Sequence, residues 1–190
     1  DWQSRGRGRF QDRLWESKRA QSLLVTIILD RAGLAALPLR AGLAVAHAVE
    51  GLSLKLGKPL SGRISIKWPN DILFDDRKLA GLLCETSGGR VLVGIGVNCI
   101  QRSFSRDSRR RIPPVSLCEA MALTADRFML LDYILRALPS CLEGEGWKDA
   151  VENMLHGRGR QVTFAPGMGK CHIEGRLEGI GPDGSIILGL

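Results

Sequence analysis

RISIKWPNDILFDDRKLAGLLCETSGGRVLVGIGVNCI, residues 63–100, is the stretch on which the fold turns. It breaks at PND, DDR and SGG, all turn-forming tripeptides. Between the breaks it gives three strands in a meander, RISIKW, KLAGLLCE and RVLVGIGVNCI, with ILF as a short piece between the first two. The period of two in the first strand puts Ile64, Ile66 and Trp68 on one face and Arg63, Ser65 and Lys67 on the other. Lys67 therefore leaves the apolar side at the strand's C-terminal end, where Pro69 stops the ladder and Asn70-Asp71 turns the chain. In the last strand Val91, Val93, Ile95 and Val97 share one face. Leu92, Gly94, Gly96 and Asn98 share the other. Glycine inside a strand costs stability, and close approach of a ligand or another backbone is a common reason for keeping it.

Outward from this meander, Leu23–Leu29 (LLVTIIL) is a short apolar run rich in β-branched residues and is expected to be a buried strand. Pro38 suits the first turn of a helix, and Leu39, Leu43, Ala46 and Val49 follow at helical spacing, so a helix should cover the sheet. Gln101 to Pro114 is polar, basic and closed by two prolines, as an exposed loop would be. Ser116 with Glu119 forms a capping box for a short helix, and Asp126 to Leu142 carries a longer helical pattern. After Gly157 the pieces QVTF, CHIEGRLEGI and SIILGL alternate with turns, which reads as a small β-module.

Several classes of function are excluded. No run approaches the ~20 apolar residues of a membrane span, and the polar, Arg-rich start is no secretory leader, so the chain is expected to be cytoplasmic. Cys84, Cys99, Cys118, Cys141 and Cys171 are odd in number and lack C-x-x-C spacing, which indicates neither a disulfide framework nor a zinc site. Gly94-Ile95-Gly96 has no third glycine and opens no helix, so it is not a dinucleotide fingerprint. His47, His156 and His172 have no Ser or Cys partner motif, and His47 on an apolar helix is expected in the core. The formal charge of +7 attracts anionic partners without choosing among them.

Two features suit chemistry on an anion. Gly6-Arg7-Gly8-Arg9 alternates the most permissive backbone with side chains made for bidentate phosphate or carboxylate contact. It reads either as a loop closing over a ligand or as an RNA-binding Arg/Gly arm. Trp15, a few residues on, can stack on a base or simply pack. Lys67 is either a solvated charge or, facing a pocket, the cation that neutralises a carboxylate driven onto a phosphate.

The series GRGRFQDRLW, KWPNDILFDDRKLAGLLCE and VGIGVN, in this order and spacing, closely resembles biotin protein ligases over nearly the whole chain. That resemblance implies an α+β fold: a mixed sheet flanked by helices, class II synthetase-like, over residues 1–156, followed by a partial SH3-like module at 157–190. It implies that ATP activates biotin to biotinyl-5′-AMP, with Mg²⁺ on the phosphates, and that the biotinyl group passes to a lysine of a biotin carboxyl carrier protein. By resemblance Lys67 and Arg9 are catalytic. Gln3, Arg7, Gly8, Arg9, Lys67, Gly81, Gly94 and Gly96 would meet biotin, and Arg13, Trp15, Asn70, Asp71 and Asn98 would serve ATP. The arginines from Arg102 to Arg111 would steer an acidic acceptor. The resemblance admits a homodimer and implies no nucleic-acid partner.

The sequence departs from the family's pattern at Phe10-Gln11-Asp12, where the loop's third glycine is missing, and at 17–23, which lacks the usual Pro, Gly and Asn. The family's Ser-Thr-Asn biotin segment belongs ahead of Asp1, where further residues are expected. Two other readings stand beside this one: a lipoate or octanoate ligase or transferase of the same fold, and a basic nucleic-acid-binding module.

Overall fold

A computed structural model of the chain describes residues 3, 6–8, 14–30, 33–105, 112–122, 124, 126–164 and 172–189. The meander forms as expected, with ILF promoted to a full strand. The strands are β3 (Ser22–Leu29), β4 (Ile64–Lys67), β5 (Asp71–Phe74), β6 (Arg77–Ser87) and β7 (Arg90–Asn98), preceded by a two-residue hairpin, β1 (Gly6–Arg7) and β2 (Leu14–Trp15). They lie in the order β3-β7-β6-β5-β4. Every pairing in this sheet is antiparallel. The expected mixed sheet is thus antiparallel in its named strands, and among the described residues parallel pairing enters only through the isolated bridges Ile66 to Leu155 and Lys78 to Pro114. The reason lies in the connections: PND, DDR and SGG are too short for the crossover that a parallel neighbour needs.

Helix α1 (Leu37–Lys55) carries Pro38 in its first turn and Lys55 in its last, where a cation complements the helix dipole. Leu39, Leu43, Ala46 and Val49 are buried, and so are Ala41, Ala44 and Ala48, whose small side chains let the helix lie close to the sheet. Helix α2 (Leu117–Ala120) opens on the capping box of Ser116 and Glu119. Helix α3 (Arg127–Glu143) starts at Asp126, whose side chain accepts from the Phe128 N–H and satisfies one of the free donors of the first turn. It packs along α1 and against β3. A helix absent from the sequence reading, α4 (Trp147–Asn153), also packs on α1. The packing of α1 and α3 leaves the opposite face of the sheet for the site.

The remaining strands, β8 (Gln161–Phe164), β9 (Ile173–Ile180) and β10 (Ile186–Gly189), make an antiparallel sheet in the order β10-β9-β8. Its Leu177 and Ile180 belong to the same hydrophobic core as α1 and the main sheet. Glu152 of α4 adds a polar tie: its carboxylate accepts from the Ile180 N–H at 3.0 Å, Lys148 Nζ at 2.8 Å and Arg158 at 3.0 Å.

Two expectations need correction. Gln101, placed in an exposed loop, is only 3% exposed, because its side-chain amide donates to Ser22 Oγ and Asn98 Oδ1 while its backbone carbonyl accepts from Ser116 Oγ. His47, expected in the core, is exposed, since α1 turns that position outward beside α3, and Nδ1 lies 3.8 Å from the buried Cys141 Sγ. Cys84 and Cys99 are free thiols pushed up by burial to about 12 and about 11, so they stay protonated and unreactive.

Candidate functional site

The pairing registers join residues far apart in sequence into one row. Lys67 pairs with Asp71, Asp71 with Gly81, Gly81 with Gly96, and Gly96 with Leu24. Paired residues on neighbouring strands point to the same face, and this is the face away from α1. A groove of about 580 Å³ opens here, walled by Gln3, Gly8, Trp15, Asn70, Gly81, Gly94 and Gly96 among the residues expected at the site. Leu24, Thr26, Lys78, Leu83, Glu85 and Leu92 complete much of the wall. A larger role thus falls to β3 and β6 than the motifs suggested.

What approaches the bare glycine strip is Trp15. A Cβ on Gly96 would stand 2.8 Å from Trp15 Cε2, and one on Gly81 would stand 3.2 Å from Cζ3. Strand pairing of Gly6 with Trp15 and Arg7 with Leu14 makes Gly6-Arg7 the outgoing arm of a hairpin whose return delivers this indole to the floor. Gly81 and Gly96 are therefore covered by Trp15, whereas Gly94 faces the backbone of Leu83, its nearest neighbour at 3.1 Å from a built Cβ. The indole Nε1–H is buried and has no hydrogen-bond partner among the described residues.

Lys78 is a groove residue that motif reading missed. Its ammonium sits 2.6 Å from Asp71 Oδ1 and 5.7 Å from the Trp15 ring centroid, so one cation links the carboxylate to the aromatic wall. The signal was available in the register, since Asp71 follows Lys67 across the three-residue turn Trp68-Pro69-Asn70 and pairs with β6. Asp71, expected to serve ATP directly, is thus paired within the protein. Asn70 lines the groove while its Nδ2 donates to the Leu82 carbonyl at 2.5 Å and its own carbonyl accepts from the Leu82 N–H at 2.9 Å.

Asn98 departs from expectation. It is 4% exposed, and its amide donates to the carbonyls of Lys78 and Val115 at 3.2 and 3.1 Å, so both hydrogens are taken by backbone and the side chain is not part of the groove wall. Lys67 lies in the row but outside the wall, partly exposed, with His156 beside it through the pairing of Leu155 to Ile66. Burial holds the His156 imidazole below its usual range, the Lys67 charge adds to that effect, and Asp76 opposes it from 3.4 Å. Arg9, Arg13 and the Arg7 side chain lie outside the described residues, as do Arg106, Arg109, Arg110 and Arg111.

A groove walled by apolar, polar and cationic side chains can hold a small anionic organic compound. Comparison with known proteins gives the same direction. A family model described as the biotin/lipoate A/B protein ligase family matches residues 1–101. The chain is 31% identical over 205 residues to a bifunctional ligase/repressor BirA of Salmonella typhimurium, covering 99% of this chain and 60% of that protein. It is 29% identical to a biotin--[acetyl-CoA-carboxylase] ligase of Paracoccus denitrificans, over 96% of this chain and 79% of that one. Among solved structures, biotin protein ligase from Aquifex aeolicus in complex with biotin and ATP superposes with a TM-score of 0.74 at 28% identity, covering 97% of this chain and 76% of that chain. The chain spans only 60%, 42% and 44% of the first curated relatives it matches.

Proposed function

Because the chain belongs to the biotin/lipoate A/B protein ligase family, we propose that it activates biotin with ATP and transfers the biotinyl group to a lysine of a carboxyl carrier protein. The observation that carries this reading is the row Lys67, Asp71, Gly81 and Gly96 beside a groove walled by Trp15 and Asn70. In the first step the biotin carboxylate attacks the α-phosphate and pyrophosphate leaves. In the second, the acceptor amine attacks the carbonyl of the mixed anhydride and AMP leaves. No enzyme nucleophile takes part, so the chain's work is positioning, charge neutralisation and exclusion of water.

In this reading the ureido ring and valeryl chain lie along the strip at Gly94 against Trp15, whose indole N–H has no partner among the described residues. Lys67 meets the carboxylate and phosphate as their negative charges converge, with Arg9 as its counterpart by family resemblance. Lys78 holds Asp71 and the indole in place. Gln3, Arg7 and Gly8 close on biotin, and Arg13 with Asn70 takes the nucleotide. Mg²⁺ enters as part of the substrate, Mg·ATP. An ion held chiefly by phosphates needs only one or two carboxylates, and Asp71 and Glu85 stand in or beside the groove.

No described helix is long and apolar enough to cross a membrane, and we place the reaction in the cytoplasm, where ATP and carrier proteins meet. The test is exchange of labelled pyrophosphate into ATP, with biotin, lipoate or octanoate as the acid. Exchange that requires biotin is expected. Exchange driven by lipoate or octanoate and not by biotin overturns the assignment of substrate.

A further inference from the structure

Trp68 stands between Lys67 and the Pro69-Asn70 turn, yet its side chain is engaged away from the groove. Its Nε1–H donates to the Gly184 carbonyl at 2.9 Å, and its ring meets Phe164 edge-on, with centroids 5.1 Å apart and planes at 73°. Both partners belong to the C-terminal sheet: Phe164 ends β8, and Gly184 lies in the turn from β9 to β10. That turn is firmly built. Gly181 N–H donates to the Ser185 carbonyl at 2.8 Å, Gly184 N–H to the Gly181 carbonyl at 3.0 Å, and Ser185 N–H to Asp183 Oδ1 at 2.9 Å.

Gly184 has φ +86°, and a Cβ there would stand 2.7 Å from Ala36 Cβ. The turn is therefore wedged between the residue that precedes α1 and the indole of Trp68. On the opposite side the same short stretch is tied to β6 through Asn70 and Leu82. The free edge of β4 is closed by Met154–His156: Ile66 N–H donates to the Met154 carbonyl at 2.7 Å, and His156 N–H donates to the Ile66 carbonyl at 2.9 Å. The placement of Lys67 and Asn70 thus depends on the C-terminal module as well as on the main sheet.

We propose that Trp68 is a positioning residue through which the C-terminal module sets the place of Lys67 and Asn70 at the groove. The catalytic readout of this inference rests on the biotin-activating reading above. Trp68 is not one of the residues that wall the groove, so disturbing its contact with the C-terminal sheet shifts the reacting groups without removing the biotin pocket. Small displacements of such groups are costly to rate, about a hundredfold for a shift of ~1 Å. An interaction made only on the way to the transition state shows in kcat and leaves KM unchanged.

Two variants of the full chain separate the possibilities. Trp68→Phe keeps a ring against Phe164 and removes the N–H. Gly184→Ala leaves Trp68, Lys67 and Asn70 intact and pushes the turn off Ala36. In each, kcat for biotin-dependent pyrophosphate exchange is expected to fall about tenfold or more, with KM for biotin within about twofold of the parent. Hydrogen exchange of the backbone amides at 67, 68, 70 and 71 is expected to speed up while that of β7 does not. Folded variants with parental kcat and parental exchange at those amides overturn the proposal. A loss of kcat that only tracks a falling melting temperature, with exchange rising evenly over the sheet, overturns it too, because it shows a purely structural contact. If the parent shows no biotin-dependent exchange, the functional reading fails. The amide measurement on Gly184→Ala then decides the positioning claim by itself: unchanged rates at 67–71 reject it and a local increase supports it.

Discussion

Lys67 and Lys78 differ in what their surroundings ask of them. Lys78 is committed to Asp71 at 2.6 Å and to the Trp15 ring, whereas Lys67 shares the row with the glycine strip at the end of β4. Lys67→Ala is expected to lower biotin adenylation at least about a hundredfold, as loss of one preorganised charge-stabilising group does. The melting temperature should stay nearly unchanged, because substitutions of partly exposed residues usually move stability by about 0.5 kcal/mol or less. Pyrophosphate exchange and a thermal scan on the same preparation check both halves. Gly96→Ala tests the floor: its methyl would stand 2.8 Å from Trp15, so the indole must shift. Overpacking of this kind costs about 1–3 kcal/mol, and weaker biotin binding by calorimetry should accompany it. The bare strip was legible in the sequence because a period of two assigns faces. That Trp15 would lie on it was not, because local period says which way a residue points and nothing about which distant side chain arrives there. Asn98 misled for the same reason, since its two carbonyl partners come from Lys78 and Val115.

Short turns and capping signals decided which elements were readable. The PND, DDR and SGG breaks fix an antiparallel meander, and the capping box at Ser116 and Glu119 forms as written, with the Glu119 carboxylate accepting from the Ser116 N–H at 3.1 Å. Helix α4 escaped notice because it has seven residues, starts at Gly146 without a side-chain cap, and is held by packing of Trp147 under Arg40 at 4.4 Å. The elements around the end of β7 are joined by a buried polar network of Ser22, Asn98, Gln101 and Ser116. It pins β3 and the 112–116 segment to the strand that carries the glycines. Asn98→Ala removes the side-chain donor of the Val115 carbonyl, while the Lys78 carbonyl keeps the Val115 N–H at 2.9 Å, and a buried group left unsatisfied costs about 1–3 kcal/mol. We therefore expect a loss of about 1–3 kcal/mol in denaturant unfolding, with activity per folded molecule largely kept. A variant with parental stability but no adenylation would return Asn98 to the role of a ligand contact.

Across the whole molecule, the C-terminal sheet is joined to the rest by a shared core and by charged groups whose titration makes the join sensitive to acid. The Lys148 ammonium hydrogen-bonded to Glu152, then the Ile180 N–H, hold the Glu152 carboxyl below its usual value. A carboxyl lowered in the folded state binds its proton more readily once unfolded. Its contribution is therefore complete above about pH 4.5, the ordinary glutamate value, and is lost as the pH falls through the lower folded value. His156 acts in a higher window. Its imidazole is lowered chiefly by burial, with Lys67, Arg160 and Arg63 adding and Asp76 opposing, so unfolding is favoured by protonation as soon as the pH drops below about 6.5. Stability should then fall in two stages on acidification, the first at the edge of β4 beside Lys67 and the second at the α4 to β9 tie. His156→Gln should flatten the first stage and leave the second. Glu152→Gln should lower stability at neutral pH and flatten the second, with the curves of variant and parent converging below pH ~4. Denaturant unfolding from pH 8 to 3.5 measures both. A first stage that persists unchanged in His156→Gln would show that another group governs that window, and parallel curves for Glu152→Gln and parent down to pH ~3.5 would show that the carboxylate does not hold the C-terminal sheet in place.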